Sequence, residues 1–113
     1  MSNALRGEVW LVDFDPTRGR EQQGKRPALI VSTNGFNKSA AELVMLIPIT
    51  SKEKRIAWHV PSQPPAGGVK TTSFMLCEGV RSASKERLLH RWGAVSAATL
   101  DDVEDRLRIL FDL

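Results

Sequence analysis

The first apolar stretch, residues 8–14 (EVWLVDF), combines β-branched and aromatic side chains and predicts a strand. Asp15-Pro16 and Gly19 interrupt it, so residues 15–25 (DPTRGREQQGK) form a polar, glycine-containing loop. That loop exceeds the two to five residues usual in a hairpin, and long loops on small scaffolds often carry function. It is expected to move in the free protein between Gly19 and Gly24. Pro27 has no amide hydrogen for a ladder and fits the first position of a second strand, continued by the apolar residues 28–31. Residues 34–41 read as a turn or one short helix. Residues 43–49 are apolar throughout, as in a central strand, and end at Thr50 beside the basic stretch of Ser51, Lys52, Lys54 and Arg55.

Shorter strands are expected over residues 57–61, 71–77 and 91–95, with a turn at 63–68 and a helical turn at 84–89. A helix closes the chain. Thr99 can cap it, and Asp101 and Asp102 suit the positive end of its dipole. Leu100, Val103, Leu107, Leu110 and Phe111 recur at helical spacing and mark a buried face. Several short strands with one terminal helix predict a mainly β protein, a small β-barrel with minor α. A doubly wound α/β fold is excluded because strands and helices do not alternate.

Length adds that residues 1–113 form a single domain. A chain of this size buries only about two-thirds of its surface on folding, so a second copy would add useful burial. No apolar run approaches the roughly 20 residues of a membrane helix, and no signal-peptide pattern opens the chain. Cys77 is the lone cysteine, which excludes an intramolecular disulfide. These features predict a cytoplasmic protein without membrane contact. The net charge of +3 is uneven: residues 99–113 carry −3, leaving +6 on residues 1–98. A basic body suits a polyanionic or acidic partner, although a solvated surface explains the same charge.

Metal chemistry has little support. Cys77, His59 and His90 lack zinc-ligand spacing, and no set of carboxylates converges in sequence as a two-metal site needs. RNA can be cut without metal or cofactor, because the ribose 2′-OH is itself the nucleophile. The enzyme then supplies a base, an acid for the leaving 5′-oxygen, and donors for the charge growing on the phosphoryl oxygens. Arginine suits the last role, since its planar fork holds two phosphate oxygens. Arg18, Arg20, Lys25 and Arg26 lie in or just after the first loop, and Arg26 is held extended by Pro27.

Here the chain resembles a known family. Arg6-Gly7-Glu8-Val9-Trp10-Leu11-Val12, then Asp15-Pro16-Thr17, then Gly19-Arg20-Glu21-Gln22-Gln23-Gly24-Lys25-Arg26-Pro27 is similar to the N-terminal signature of MazF/PemK mRNA interferases. Pro48-Ile49-Thr50-Ser51 matches a second block, and Cys77-Glu78 through Arg81-Ser82 and Lys85-Glu86-Arg87-Leu88 a looser third. The resemblance implies a compact SH3-like barrel with a C-terminal helix. It also implies a homodimer that cuts single-stranded mRNA at a short motif, as the toxin of a toxin–antitoxin system, and an acidic antitoxin as partner.

Carried over by position, Arg26 and Thr50 match the family's catalytic arginine and threonine, with Arg26 stabilising phosphoryl charge and Thr50 bonding a phosphate oxygen. Glu21 would act as base or orient Arg26, and Glu78 keeps a carboxylate where some members have Asp. Glu8 occupies another acidic position used by some members. Arg18, Arg20, Gln22, Lys25, Lys52, Lys54, Arg55 and Arg81 are the candidate RNA contacts. The chain departs from the pattern at Arg20, where some members have His, at Leu76, where some have Arg, and at Gly79, where many have Gln. Mechanisms relying on that His or second Arg are therefore unavailable, and the preferred RNA motif is expected to differ.

Two other readings share this architecture. A CcdB-type gyrase poison acts through a Trp-Gly-Ile ending, but this chain ends Phe111-Asp112-Leu113. A non-catalytic RNA- or protein-binding barrel would not need Arg26 and Thr50 together. Of the tryptophans, Trp10 and Trp92 are expected in the core, and Trp58, beside the basic stretch, is as suited to base stacking as to packing.

Overall fold

The computed structural model describes residues 3–15 and 24–113. Arg18, Arg20, Glu21 and Gln22, and the expected mobility of their loop, lie outside the described residues. Among the described residues, seven strands form one antiparallel sheet, accompanied by two α-helices and three 3-10 turns. The strands are β1 (Glu8–Asp13), β2 (Lys25–Ile30), β3 (Leu43–Thr50), β4 (His59–Ser62), β5 (Ser73–Leu76), β6 (Arg81–Ser84) and β7 (Leu88–Ala94), in the order β4-β5-β3-β2-β1-β7, with β6 also on β3. Helix α1 is the short Asn34–Asn37 turn, and α2 is the terminal helix Ala97–Phe111. The mainly β fold with a C-terminal helix is therefore as the apolar pattern predicts.

β3 is the hub because residues 43–49 are apolar on both faces. One face supplies Val44 and Leu46 to a cluster with Val12, Phe14, Ala28 and Ile30. The other supplies Ile47 and Ile49 to a cluster with Val9, Leu29, Met75 and Val103 of α2. All of these side chains are essentially inaccessible to water, and each except Ala28 contributes roughly 1.5–3 kcal/mol of burial. Period-two alternation then fixes register, since a one-residue slip would exchange the two sets.

Several local expectations shift. Pro27 is the third residue of β2, not the first. It pairs with Leu11 on β1, whereas β2–β3 pairing begins only at Ala28–Pro48. Its missing amide hydrogen thus falls where the second ladder has already ended. β6 and the early start of β7 flank a 3-10 turn at Lys85–Arg87, where only a helical turn was expected. Ser96, not Thr99, caps α2: its Oγ accepts the Thr99 N–H at 3.2 Å. Phe111 is 59% exposed and leaves the buried face to Leu100, Val103, Leu107 and Leu110. α2 is joined to the N-terminal segment by an ion pair between Glu104 and Arg6, so part of its acidic charge is spent internally.

Between β5 and β6 the chain makes a 3-10 turn, Cys77–Gly79, where it passes Pro48. Pro48 offers no amide hydrogen, and a Cβ at Gly79 would stand 3.3 Å from its ring. The turn lifts Glu78 out of the strand. Burial, aided by the charge of Glu78, pushes the Cys77 thiol up to about 11, so it stays protonated and inert.

Candidate active site

Where the β2–β3 ladder stops, the strands part. β3 turns to β5 instead, through Ile49–Met75 and Thr50–Phe74. The fork opens a cavity of about 170 Å³ whose walls include Arg26, Thr50, Ser51, Thr71, Ser73 and Trp92. The two residues singled out from sequence, Arg26 and Thr50, thus line one cavity from adjacent strands.

Each is positioned by its backbone. Arg26 pairs with Val12 in the β1–β2 ladder and is exposed. Thr50 is the last residue of β3, and its Oγ1 accepts the Lys52 N–H at 3.2 Å. With an acceptor lone pair occupied, the hydroxyl hydrogen is the group left to offer an anionic oxygen. Arg26 and Thr50 together supply a cationic fork and a neutral donor, a pairing suited to a phosphate.

The neck leading to Arg26 is closed by hydrogen bonds. The Phe14 N–H donates to the Gly24 carbonyl at 2.8 Å, and the Gly24 N–H donates to Asp15 Oδ1 at 2.9 Å. Gly24 sits at φ 73°, where a side chain would be strained. From the other side, the Arg87 guanidinium donates to the Asp13 carbonyl at 3.1 Å and also to that of Asp15.

Trp92 is the site residue that sequence reasoning misplaced. It is 38% exposed and forms a cavity wall, not core. Its position follows from a close backbone approach: a Cβ on Gly68 would collide with the Trp92 carbonyl, and one on Gly93 would come within 2.9 Å of the Gly67 backbone. The signal was present in the polar neighbours of Trp92, His90 and Arg91, which are exposed with it. Trp10, by contrast, packs against the core as expected, and its Nε1 donates to Glu8 at 3.1 Å.

Glu8 is structural. Its carboxylate accepts the Leu5 N–H at 2.7 Å and the Arg91 Nε–H at 2.5 Å. Burial pushes its pKa up, but these bonds, that of Trp10 and the Arg91 charge outweigh burial and hold the carboxyl below its ordinary value.

The remaining candidates are dispersed. Glu78 does not line the Arg26 cavity. Its carboxylate accepts from His59 Nε2 at 2.7 Å and borders a separate depression with Arg81. Arg81 lies 5.6 Å over the Phe14 ring. Lys25, Lys52 and Lys54 are exposed, the first beside Arg26 and the others just beyond Thr50. Arg55, at φ 53°, turns into a larger cavity on the other side of Ser51. No carboxylate or imidazole appears among the described residues that line the Arg26 cavity.

Comparisons with known proteins agree with this architecture. The profile of the family described as "PemK-like, MazF-like toxin of type II toxin-antitoxin system" matches residues 5–111. The chain is 35% identical to endoribonuclease MazF9 of Mycobacterium tuberculosis, over 96% of each protein. It superposes on the crystal structure of MazF from Deinococcus radiodurans with a TM-score of 0.85 and 26% identity, covering 100% of both chains. A mycobacterial endoribonuclease in complex with its cognate antitoxin shares the fold, with a TM-score of 0.79 and 24% identity over 100% of this chain and 97% of that one. These likenesses do not favour a CcdB-type gyrase poison. The chain belongs to the family of PemK-like, MazF-like toxins of type II toxin–antitoxin systems.

Proposed function

We propose that this chain is an endoribonuclease that cuts single-stranded mRNA at preferred sequences, without a metal ion, as the toxin of a toxin–antitoxin pair. The observation that carries the reading is that Arg26 and Thr50 line one cavity at the β2–β3 fork. At about 170 Å³ that cavity lies below the roughly 300–1,000 Å³ of small-molecule pockets, and it suits a phosphate group alone.

With the scissile phosphate seated there, the 2′-oxygen bonds to phosphorus and the bond from phosphorus to the 5′-oxygen breaks. One proton leaves the 2′-hydroxyl, and water delivers one to the departing 5′-oxygen. The Arg26 fork and the Thr50 hydroxyl offset the charge that builds on the non-bridging oxygens. Arg26 is not the base, since a guanidinium keeps its protons. Glu21, four residues from the start of β2, is the proton acceptor in this scheme, and Arg18, Arg20, Gln22, Lys25, Lys52 and Lys54 hold the flanking strand. The pairing of Glu78 with His59 favours a role for Glu78 away from the reacting phosphate.

The relative solved with its cognate antitoxin supports an antitoxin as protein partner here. An acidic one suits the basic body of the chain. A second copy is the other partner: Leu89 on the edge strand β7 is 45% exposed, and Ile109 and Phe111 on α2 are 56% and 59% exposed. No helix of the described residues is long and apolar enough to cross a membrane. A cytoplasmic location fits a substrate of mRNA.

The reading is tested by incubating the protein with long single-stranded RNA in EDTA, alongside Arg26→Ala. Discrete cuts that persist in EDTA and vanish in the variant are expected. RNA that is bound but intact would instead leave a non-catalytic binding barrel.

A further inference from the structure

Glu78 is a carboxylate among groups suited to a polyanion. The Cys77–Gly79 turn lifts it out of the sheet, and it borders the same depression as Arg81, one of the candidate RNA contacts. Left to itself it would repel phosphates. His59 Nε2, however, lies 2.7 Å from its Oε2.

The two partners differ in surroundings. The His59 side chain, at the start of β4, is 4% exposed, and that of Glu78 is 41% exposed. A carboxylate only accepts, so the imidazole hydrogen sits on Nε2. Nδ1 is then a bare lone pair, buried and without a hydrogen-bond partner. In that state the imidazole is neutral and the pair carries one negative charge. A further proton on the ring has one place to go, Nδ1. It would make the pair neutral and leave the Nε2 bond in place.

The groups packed around His59 are of other kinds. The turn brings the buried Cys77 beside Glu78. α2 packs on β4 and on the turn, and carries Arg106, whose Nε donates to the Ala57 carbonyl at 3.0 Å with Asp105 3.5 Å from the guanidinium. From the β3–β4 connection, Glu53 and Arg55 border the larger cavity that His59 lines, and Lys52 and Lys54 share that connection. β5, which pairs with β4, reads Ser-Phe-Met-Leu and holds no acid or base. Among these side-chain types, only imidazole ordinarily changes charge between about pH 5 and 8. The second histidine, His90, stands on β7 at the opposite end of the strand order.

We propose that His59 is a proton-linked positioning residue for RNA binding. It holds Glu78 in both states and cancels its charge when Nδ1 takes up a proton, a role that rests on the endoribonuclease reading above. Phosphates that pass Arg81 then meet a surface one charge less negative at low pH. Linkage makes the effect reciprocal, so bound RNA draws a proton onto His59.

Two measurements test this with a 2′-O-methyl RNA, which lacks the nucleophile and cannot be cut by the proposed route. The first follows the ring 15N shifts of His59 in the unaltered chain from pH 8 to pH 5. Nε2 should stay protonated throughout, and Nδ1 should gain its proton as pH falls, at a higher pH with RNA bound. The second measures Kd for the same RNA. The unaltered chain should bind about three- to tenfold more tightly at pH 5.5 than at pH 7.5 in low salt. His90→Gln should keep that difference and His59→Gln should lose it. Glu78→Gln, altered at an exposed position, should bind at pH 7.5 as the unaltered chain does at pH 5.5. An Nδ1 that stays unprotonated at pH 5 would overturn the proposal, whether or not His59→Gln folds. A pH difference that survives in His59→Gln and vanishes in His90→Gln would do the same. Metal-independent cleavage of ordinary RNA, with binding indifferent to pH, would overturn the proposal and spare the endoribonuclease reading. RNA neither bound nor cut at any pH would overturn both.

Discussion

The Lys52 backbone N–H donates to Thr50 Oγ1 at 3.2 Å, so the residue just beyond Ser51 orients the hydroxyl at the end of β3. Thr50→Val keeps the shape and removes the donor. It should lower kcat by about 10–100-fold with KM changed little, the pattern of a bond made mainly in the transition state. Thr50→Ser retains the hydroxyl and should stay within about tenfold of the unaltered rate. Initial rates on a short RNA that spans one cut site check both.

Charge alone at position 26 should not suffice. Arg26→Lys preserves the cation but loses the planar fork, so kcat should fall by about 100-fold or more. Far-ultraviolet circular dichroism should be unchanged, because Arg26 is exposed. A Lys variant as fast as the parent would reduce the role of Arg26 to simple attraction of RNA.

The neck bonds predict coupling between two residues distant in sequence. Asp15→Ala removes the acceptor for the Gly24 N–H and should cost about 1 kcal/mol. Arg87→Ala removes the clamp on the Asp13 and Asp15 carbonyls. Because both act on the same turn, the double variant should lose less stability than the two singles added together. Urea unfolding of the four proteins measures this.

Glu8 fixes the direction of a pH effect. Its carboxyl is held below its ordinary value in the folded chain, so the unfolded chain binds its proton first as pH falls. Its stabilising contribution is therefore complete above the ordinary carboxylate pKa and is lost as pH drops through the lowered one. Glu8→Gln should be less stable at pH 7 by about 1–3 kcal/mol and should show a flatter acid limb in melting temperature against pH.

Cys77 gives a probe of opening. With its thiol pushed up to about 11 and fully buried, it should resist iodoacetamide at pH 8 and react once urea unfolds the chain. Rapid alkylation of the folded protein would contradict the burial.

The sequence was most legible where a pattern was long or chemically specific. The apolar run of β3 announced the central strand, and Arg26, Pro27 and Thr50, singled out in the sequence, line one cavity. Short signals failed where two residues of similar chemistry competed. Ser96 and Thr99 are both competent caps, and the chain direction before the helix favours Ser96. β6 reads Arg-Ser-Ala-Ser, with a single buried residue, and is a strand only because β3 offers it an edge. Glu78 was unreadable for another reason. The turn opposite Pro48 redirects it toward His59, a tertiary effect that no local spacing records.

The wall formed by Trp92 bears on when the protein acquires its activity. The Arg26–Thr50 cavity draws its sides from segments near residues 26, 50, 72 and 92, so it has no complete form until β7 has left the ribosome and docked on β1. A translation product that stops short of β7 carries the arginine and the threonine but not the cavity wall supplied by Trp92. For a chain whose target is mRNA, the order of synthesis itself then delays the onset of harm until β7 has been made and docked.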